Sequence, residues 1–549
     1  MSTALDNPAG PFSRIAAVAS AVVDLLVQGL IVRPLHGLAT SWIRGRLAGY
    51  KVRVNTIDTL RRTRLPEGEP RSVAVIGGGL AGMTTAILLA ERGFRVTLLE
   101  REQHLGGKLG AWTHTFADGS QVGMEHGFHA FFPAYYNLFR LFGRLGITES
   151  LRRVSDYRIL LLDGSEMRFD DAEPTPLLNL LRLVWNGTFD WREFVISPQH
   201  VLLRALLDYD RADTYAAWDR TSFDTFAKRH RLPDRMRVMF TIFARTFFAR
   251  GDQMSMAALL QSFHLYYTSI ASGLLYSYAT DDHGRTVLAP LRRHMEALGI
   301  DLRMGAQASQ ITRQADRRLA VDGAPYDHVV LAVDARPAHA VLQASPVGRE
   351  APGLVSDLAM LRPQNRYANL RVWLDADARP DLPPFTGTEH RRALDAICFY
   401  HRCEEESAAW VRERGGAVLE LHAYQLPDDL TDEAAIRDAL LDDLRHFVPE
   451  LRDANVVREI LLVRDDFSSP LVGQEAHRPG CNPGVDGLYL AGDWVRTGVP
   501  GKLMEGAVTS AILAVNAICD VEELRGEPVY SVPLRGLWRG NRDAARPVR

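Results

Sequence analysis

The stretch VAVIGGGLAGMTTAILLAERG, residues 73–93, decides the fold. Its first four residues are a short apolar run, typical of a buried parallel strand. Gly77, Gly79 and Gly82 follow in the pattern G-x-G-x-x-G, and the remaining residues predict a helix rich in alanine and leucine. This order of strand, glycine turn and helix predicts the first half of a dinucleotide-binding unit.

Each glycine in the turn has its own physical role. One permits the tight turn, one lets the backbone approach a pyrophosphate, and one allows close contact between helix and strand. The helix N-terminus adds unpaired N–H groups and the positive end of a dipole. A second apolar strand, Arg95 to Leu99, ends in Glu100, which is placed to accept hydrogen bonds from a ribose hydroxyl.

Bulk properties narrow the class of protein. The 549 residues provide for about three domain-sized units. A net charge of −3 gives no general attraction to nucleic acid, and none is expected as a partner. Four scattered cysteines are too few for a disulfide framework, and no signal peptide is visible at the start, so a cytoplasmic location is expected.

The N-terminal segment differs from the rest of the chain. Residues 15–32 are apolar except for Asp24 and Gln28, and eight basic residues against one acidic residue follow between Arg33 and Arg64. The aspartate makes a membrane span costly. An apolar helix followed by basic residues predicts a peripheral segment on the inner face of the cell membrane. A helical arm packed on the body or on a partner subunit fits the same pattern.

Residues 151–280 are predicted to be mostly helical and are unusually rich in aromatic side chains. Such density at helical spacing is typical of a plain core, although a lipophilic substrate needs a tunnel lined in the same way. The cluster comprises Phe223, Phe226, Phe240, Phe243, Phe247, Phe248, Phe263, Tyr266, Tyr267, Tyr276 and Tyr278.

The second half of the chain combines strands and helices. Residues 366–425 alternate apolar and polar residues as half-buried antiparallel strands do. Thr431 to Val448 predicts a helix with Thr431 as its N-cap. Leu488 to Ala491 predicts a last short strand, and Leu503 to Asp520 a last helix.

Further motifs identify a family. Gly106-Gly107-Lys108 follows the second strand, GMEHGFHAFF occupies residues 123–132, LYLAGDW residues 488–494, and MEGA residues 504–507. Together they resemble the FAD-dependent amine-oxidase superfamily, and specifically its carotenoid (phytoene and ζ-carotene) desaturases. The pairing of GFHAFF with AGDWVR is most similar to the carotene desaturase–methylase (isorenieratene synthase-like) branch. The resemblance covers roughly residues 71–525.

The resemblance implies an FAD site. Its glycine turn would hold the pyrophosphate, Ala308 would meet adenine through backbone atoms, and Asp493 would accept a ribityl hydroxyl. The turn at residues 504–507 would aim helix N–H groups at the flavin, which stabilises negative charge on it. The implied cofactor-binding residues are Gly77, Gly79, Gly82, Glu100, Arg101, Gly107, Lys108, Ala308, Gly492, Asp493, Met504 and Glu505. No catalytic residue is assigned.

The implied fold class is α/β: a discontinuous Rossmann-type FAD-binding domain with an inserted α+β substrate domain, in an amine-oxidase-like architecture. The predicted units are an amphipathic, basic N-terminal extension (1–70), three parts of the FAD-binding domain (71–150, 281–345 and 471–525), a helical substrate- or membrane-facing region (151–280), an antiparallel substrate sheet (346–470) and a tail (526–549).

The function implied is an FAD-dependent oxidoreductase acting on a lipophilic polyene or terpenoid. Carotenoid desaturation, in which an allylic C–H gives hydride to flavin N5, is the reaction expected, and isomerisation or ring aromatisation could use the same frame. Only one dinucleotide fingerprint is visible, so a quinone or another small electron acceptor is expected in place of a nicotinamide.

Two alternatives stay open. One is a flavin amine oxidase or a protoporphyrinogen-type oxidase; the lack of any lysine between Lys228 and Lys502 disfavours amine oxidation, although Lys502 itself could reach the flavin. The other is a flavin-bearing membrane-docking or assembly subunit without activity. No metal site is expected: Cys398, His401 and Cys403 lack a fourth ligand.

Overall fold

The computed structural model describes residues 38, 42, 51–154, 156–169, 200–270, 275–361 and 365–539. The apolar segment at residues 15–32 therefore lies outside the described residues. The described chain forms two large sheets, four smaller sheets of two or three strands, and a region of short helices. Residues of both large sheets and of the short helices line one cavity.

The first sheet has five parallel strands and is called here the parallel sheet. Helix Leu80–Ala90 follows its central strand directly, and every residue of this helix is buried. Segments far apart in the chain meet in this sheet, which confirms the predicted discontinuous Rossmann-type domain. The strand order is Asp301–Met304, Arg95–Glu100, Ser72–Ile76, His328–Leu331, Leu488–Leu490.

Two segments far apart in the sequence, one before and one after this domain, meet beside it. Val52–Arg53 pairs antiparallel with Tyr530–Ser531, and Arg92 Nη2 lies 2.9 Å from Glu527 Oε1. The N-terminal extension therefore lies on the body of the protein at residues 52–53. Among the described helices, Leu503–Val521 is long and apolar enough to cross a membrane, and it packs in the core of this domain.

The second sheet has seven strands and is called here the mixed sheet. Tyr367–Leu374 and Ala417–Ala423 are buried along their whole length. The prediction that these strands are half-buried is therefore wrong. Helix Glu433–Phe447 covers one face, and Asp432 rather than Thr431 caps it, accepting from Ala435 N at 3.0 Å. The strand order is Val456–Arg464, Tyr367–Leu374, Ala417–Ala423, Ala396–Phe399, Phe385–Thr388, Arg158–Leu160, Glu166–Arg168.

The described part of residues 151–280 contains short strands beside its helices. Leu151–Arg153 pairs with Ser277–Ala279, and two further strands of three residues extend the mixed sheet. Such short strands carry too little period-two signal to be recognised. The buried guanidinium of Arg245 joins this region to the mixed sheet by pairing with Asp395 (Nη2–Oδ2 3.0 Å). The α-helices in the described part of this region are His200–Leu207, Arg211–Trp218, Phe223–Arg229, Asp234–Arg245 and Met256–Phe263.

Smaller elements connect these layers. They are the hairpin of Ala111–Thr115 and Gln121–Glu125, the three-stranded sheet of Ile311–Arg313, Leu319–Val321 and Ala324–Tyr326, and the helices Tyr136–Arg144, Ala289–Ala297, Ala335–Ala344, Pro352–Met360 and Glu405–Arg414.

Candidate active site

A cavity of about 1090 Å³ lies at the carboxyl ends of the parallel strands and continues between the mixed sheet and the short helices. Its polar half, around the glycine turn, is called here the dinucleotide arm. Its apolar half, among the short helices, is called the aromatic arm. All but two of the predicted cofactor residues line this cavity: Gly77, Gly79, Glu100, Arg101, Gly107, Lys108, Ala308, Gly492, Asp493 and Met504.

The glycine turn fits a diphosphate. Gly77 has φ +110°, and a Cβ atom there would lie 2.6 Å from the carbonyl oxygen of Ala332. A Cβ atom on Gly79 would meet nothing closer than 3.9 Å, since this residue faces the cavity. Helix Leu80–Ala90 has no side-chain cap, so its first N–H groups remain available to a ligand. Gly82 does not line the cavity. A Cβ atom added to it would lie 1.9 Å from the carbonyl oxygen of Gly77, so glycine at this position allows the close contact between helix and strand.

Glu100 is held at the end of its strand. Its Oε2 accepts from Gly78 N at 2.6 Å and its Oε1 from Glu102 N at 2.9 Å. Each carboxylate oxygen keeps a lone pair, so a ribose diol can bind there. Ala308 is buried at the same end of the cavity, and the exposed Arg101 lies at the rim beside Glu102. These residues fit the adenosine half of FAD.

Lys108 marks the junction of the two arms. Its Nζ lies 2.6 Å from Asp334 Oδ1 and 3.8 Å from Asp493 Oδ1. Burial alone would lower the pKa of Lys108, but Asp334, Asp493 and Asp466 outweigh it and raise the pKa. The ammonium therefore stays charged, and it provides a fixed cation beside the place where the flavin half of FAD fits. Asp334 and Asp466 were not predicted from the sequence.

The side chain of Glu505 points away from the cavity, while the predicted flavin contact through the backbone N–H groups of residues 504–507 stays a prediction. Its Oε1 accepts from Asn137 N at 3.0 Å and its Oε2 from Leu138 N at 3.0 Å, which caps helix Tyr136–Arg144. Burial raises the pKa of Glu505 to about 8, and these hydrogen bonds oppose the rise. Met504 and Ala507 line the cavity, whereas Glu505 lies on the opposite side of the helix.

The aromatic arm uses most of the predicted aromatic cluster. The rings of Phe240 and Phe263 stack with centroids 4.3 Å apart, and the hydroxyls of Tyr135 and Tyr266 are hydrogen-bonded at 2.9 Å. Phe223 belongs to the core behind the wall, so the cluster is both core and cavity lining. The members that line the cavity are Phe240, Phe243, Phe247, Phe248, Phe263, Tyr266, Tyr267 and Tyr276.

The mixed sheet closes the cavity with a polar face. Asn369 and His422 line the cavity, and Arg371 and Glu420 follow on the same face of the two paired strands as a buried ion pair. His422 Nε2 is 3.2 Å from Glu420 Oε1. The alternation of apolar and polar residues over 366–425 predicted that one face of these strands is polar. That face is turned to the cavity and not to solvent.

Two histidines of the motif GFHAFF and its flank also line the cavity. Burial lowers the pKa of His126 to about 4, against the opposing charge of Asp466. Burial likewise lowers the pKa of His129, whose Nδ1 lies 2.7 Å from Gly127 O. Both rings are therefore neutral near pH 7. No group of three or more possible metal ligands occurs in the part of the chain that the structure describes.

The fold and this cavity define an FAD-dependent oxidoreductase. The family model described as flavin containing amine oxidoreductase matches residues 80–519, and the chain belongs to this family. The predicted cofactor, the class of enzyme and the superfamily are thereby confirmed.

Relatives refine the position within the family. The chain is 35% identical to the carotenoid phi-ring synthase of Streptomyces griseus, over 85% of this chain and 92% of the relative. It is 25% identical to the 15-cis-phytoene desaturase of Solanum lycopersicum, over 83% of this chain and 79% of the relative. These relatives confirm the predicted resemblance to carotenoid desaturases and the desaturase–methylase branch.

Solved structures show the same fold. Cyclohexylamine oxidase from Brevibacterium oxydans IH-35A superposes with a TM-score of 0.60 at 16% identity, covering 82% of this chain and 99% of the oxidase. This likeness concerns the fold alone.

Proposed function

We propose that the protein oxidises a carotenoid or a similar long polyene by removing hydrogen from adjacent carbons. The observation that carries this proposal is the continuity of the aromatic arm with the dinucleotide arm. A rod-shaped apolar substrate in the aromatic arm would reach the flavin end of the cofactor. The names of the relatives, a carotenoid phi-ring synthase and a phytoene desaturase, support this substrate class.

Binding of such a substrate depends on burial, because it has almost no polar groups. Each Å² of apolar surface removed from water stabilises the complex by about 25 cal/mol. The rings of Phe240, Phe243 and Phe263 offer a wall of this kind. Position along the arm, and not a hydrogen bond, would therefore select the C–H bond that reacts.

Bound FAD supplies the oxidant, which accepts a hydride equivalent from an allylic C–H. The residues of this chain position the two reactants. The glycine turn and Glu100 hold the cofactor, Lys108 gives a fixed positive charge next to it, and the aromatic arm excludes water from the reacting carbons.

Anaerobic mixing tests the proposal. FAD-loaded protein is mixed with phytoene, ζ-carotene or a ring-bearing carotene in detergent micelles, and oxidised flavin absorbance is followed. Bleaching by a polyene, with product identified by chromatography and mass spectrometry, supports the proposal. Bleaching by amines or a porphyrinogen, and by none of the polyenes, would refute it.

The electron acceptor proposed is a quinone. A lipid-soluble acceptor suits a lipid-soluble substrate, and only one dinucleotide fingerprint, at residues 77–82, occurs in the sequence. Reoxidation of bleached protein by a soluble quinone should be faster than by NAD(P)⁺ or oxygen. Equal or faster reoxidation by oxygen would contradict this acceptor.

The location proposed is peripheral, on the inner face of the cell membrane. Leu38 and Trp42 are helical, four residues apart and 73% and 46% exposed, and basic residues surround them in the sequence. Deletion of residues 1–48 keeps the pairing of Val52 with Ser531 and should abolish flotation with anionic vesicles. Unchanged flotation would contradict membrane docking by this segment.

A further inference from the structure

A second, much smaller cavity lies behind the wall of the active site. Its volume is about 20 Å³, which is room for one water molecule. Phe128 and His129 line both cavities and so separate them. The other residues with polar side chains around the small cavity are Glu125, Tyr278, Asp281, His283, Tyr400, Cys403 and Glu404.

His129 is oriented by the backbone. Its Nδ1 lies 2.7 Å from the carbonyl oxygen of Gly127, which can only accept, so Nδ1 carries the proton of the neutral ring. The Nε2 atom is then a base. Burial keeps the pKa of His129 below its ordinary value, so the ring is ready to accept a proton at neutral pH.

Groups that exchange protons continue from His129 toward the surface. The rings of His129 and His283 are 5.1 Å apart, and His283 Nδ1 lies 3.0 Å from Glu125 Oε1. The hydroxyl of Tyr400 donates to Glu125 Oε2 at 3.3 Å. Glu404 is 5% exposed, while the side chain of Asp281 is 25% exposed and marks the outer end of the path.

The two glutamates of this path can exchange protons near neutrality, whereas burial and His129 keep the pKa of His283 well below its ordinary value, so His283 passes the proton on without holding it. Burial raises the pKa of Glu404 to about 7, and burial together with Glu404 raises the pKa of Glu125 well above its ordinary value. Arg371 opposes both increases, and Glu420 adds to that of Glu125. The remaining groups that face His129 are the ring of His126, the backbone of Lys108, and Glu420 and His422 of the mixed sheet.

We propose that His129 accepts the proton released when the polyene is oxidised, and that His283, Glu125 and Glu404 carry it to solvent at Asp281. This inference rests on the proposed function. One C–H bond of the substrate gives up its hydrogen with two electrons to bound FAD. The adjacent C–H bond gives its proton to His129 Nε2, and its electron pair becomes the new C=C bond. The water-sized cavity bridges His129 and the carboxyl groups.

Stopped-flow mixing of the FAD-loaded full chain with the polyene that it oxidises tests the path. Flavin absorbance reports substrate oxidation, and a pH-indicator dye in weak buffer reports the released proton. His129→Gln should slow bleaching at least tenfold, since general bases contribute about 10²–10⁴-fold. FAD affinity and polyene affinity, measured by fluorescence quenching, should stay unchanged.

Glu404→Gln tests the path at a residue outside the active-site cavity. This variant should slow flavin bleaching less than His129→Gln does. Proton release should then lag behind flavin bleaching, and the pH profile of proton release should shift. The exposed neighbour Glu405 offers the matched control, and Glu405→Gln should match the wild type in both signals. A merely structural role for Glu404 would not separate the two signals.

The outcomes are distinguishable. Wild-type protein that no polyene bleaches overturns the proposed function and the path with it. Wild-type bleaching combined with wild-type rates in His129→Gln overturns the path alone. Simultaneous bleaching and proton release in Glu404→Gln also overturns it, even where His129→Gln fails to fold.

Discussion

Arg371 Nη2 lies 2.9 Å from Glu420 Oε2, with the two side chains 1% and 0% exposed, inside the mixed sheet. Arg371 also donates to Gly123 O at 3.0 Å, so the pair connects the mixed sheet to the hairpin that precedes His126. Burial would raise the pKa of Glu420, but Arg371 and His422 outweigh it and lower the pKa to about 2. The polar face of the site thus depends on one buried ion pair.

Stability should fall in acid because of this pair. The pKa of Glu420 is about 2 in the folded protein and about 4.5 in the unfolded chain, so its contribution is complete above pH 4.5 and is lost as the pH falls toward 2. The shift corresponds to roughly 3 kcal/mol. In Glu420→Gln, urea unfolding between pH 7 and pH 3 should show less pH dependence. The exposed Glu413→Gln serves as control, and identical slopes for both variants would contradict the assignment.

Substitutions of Gly79 and Gly82 should have different effects, the first on FAD affinity and the second on the stability of the apoprotein. The side chain of Gly79→Val would enter the cavity, so the apoprotein should keep its melting temperature and lose FAD affinity by about 100-fold, or roughly 2.7 kcal/mol. Gly82→Ala places a Cβ atom 1.9 Å from Gly77 O and should destabilise the apoprotein itself by about 1–3 kcal/mol. Calorimetry with and without FAD separates the two effects. If Gly79→Val still binds FAD with wild-type affinity, the pyrophosphate does not bind at this turn.

Asp493 and Glu505 provide a second contrast. Asp493→Ala should weaken FAD binding about tenfold with little change in apoprotein stability, because the side chain lines the cavity. Glu505→Ala leaves Asn137 N and Leu138 N without their acceptor and should cost about 1–3 kcal/mol of stability. Its FAD affinity should stay unchanged. Titration of each apoprotein with FAD and thermal unfolding give both quantities, and a reversed pattern would contradict these roles of the two side chains.

The parallel sheet was predictable because its signals are local. The apolar run, the glycine spacing and the acid at Glu100 all lie within about thirty residues of one another, and each is a direct consequence of backbone geometry. Asp334 lacked such a signal: its partner Lys108 is 226 residues away. Its position after the buried strand His328–Leu331 was a usable hint, since ligands bind at the carboxyl ends of parallel strands.

The polar face of the mixed sheet was misplaced for a different reason. Alternation identifies two faces of a strand but not what covers each face. Asn369, Arg371 and Glu420 carry polar groups that a solvated sheet would also have, yet the cavity and the hairpin cover them. The direction of the Glu505 side chain was not predictable either, because the MEGA motif identifies a helix N-terminus but not where each side chain points.

The aromatic arm predicts a contrast between two phenylalanines. Phe243 lines the cavity, whereas Phe223 is a core residue behind it, and both are buried. Phe243→Leu should weaken polyene binding about five- to thirtyfold, the equivalent of 1–2 kcal/mol of lost aromatic contact, and leave FAD affinity unchanged. Phe223→Leu should lower the melting temperature and leave the polyene dissociation constant unaltered. Quenching titrations and calorimetry on both variants test this, and equal losses of polyene affinity would show that the substrate does not lie in the aromatic arm.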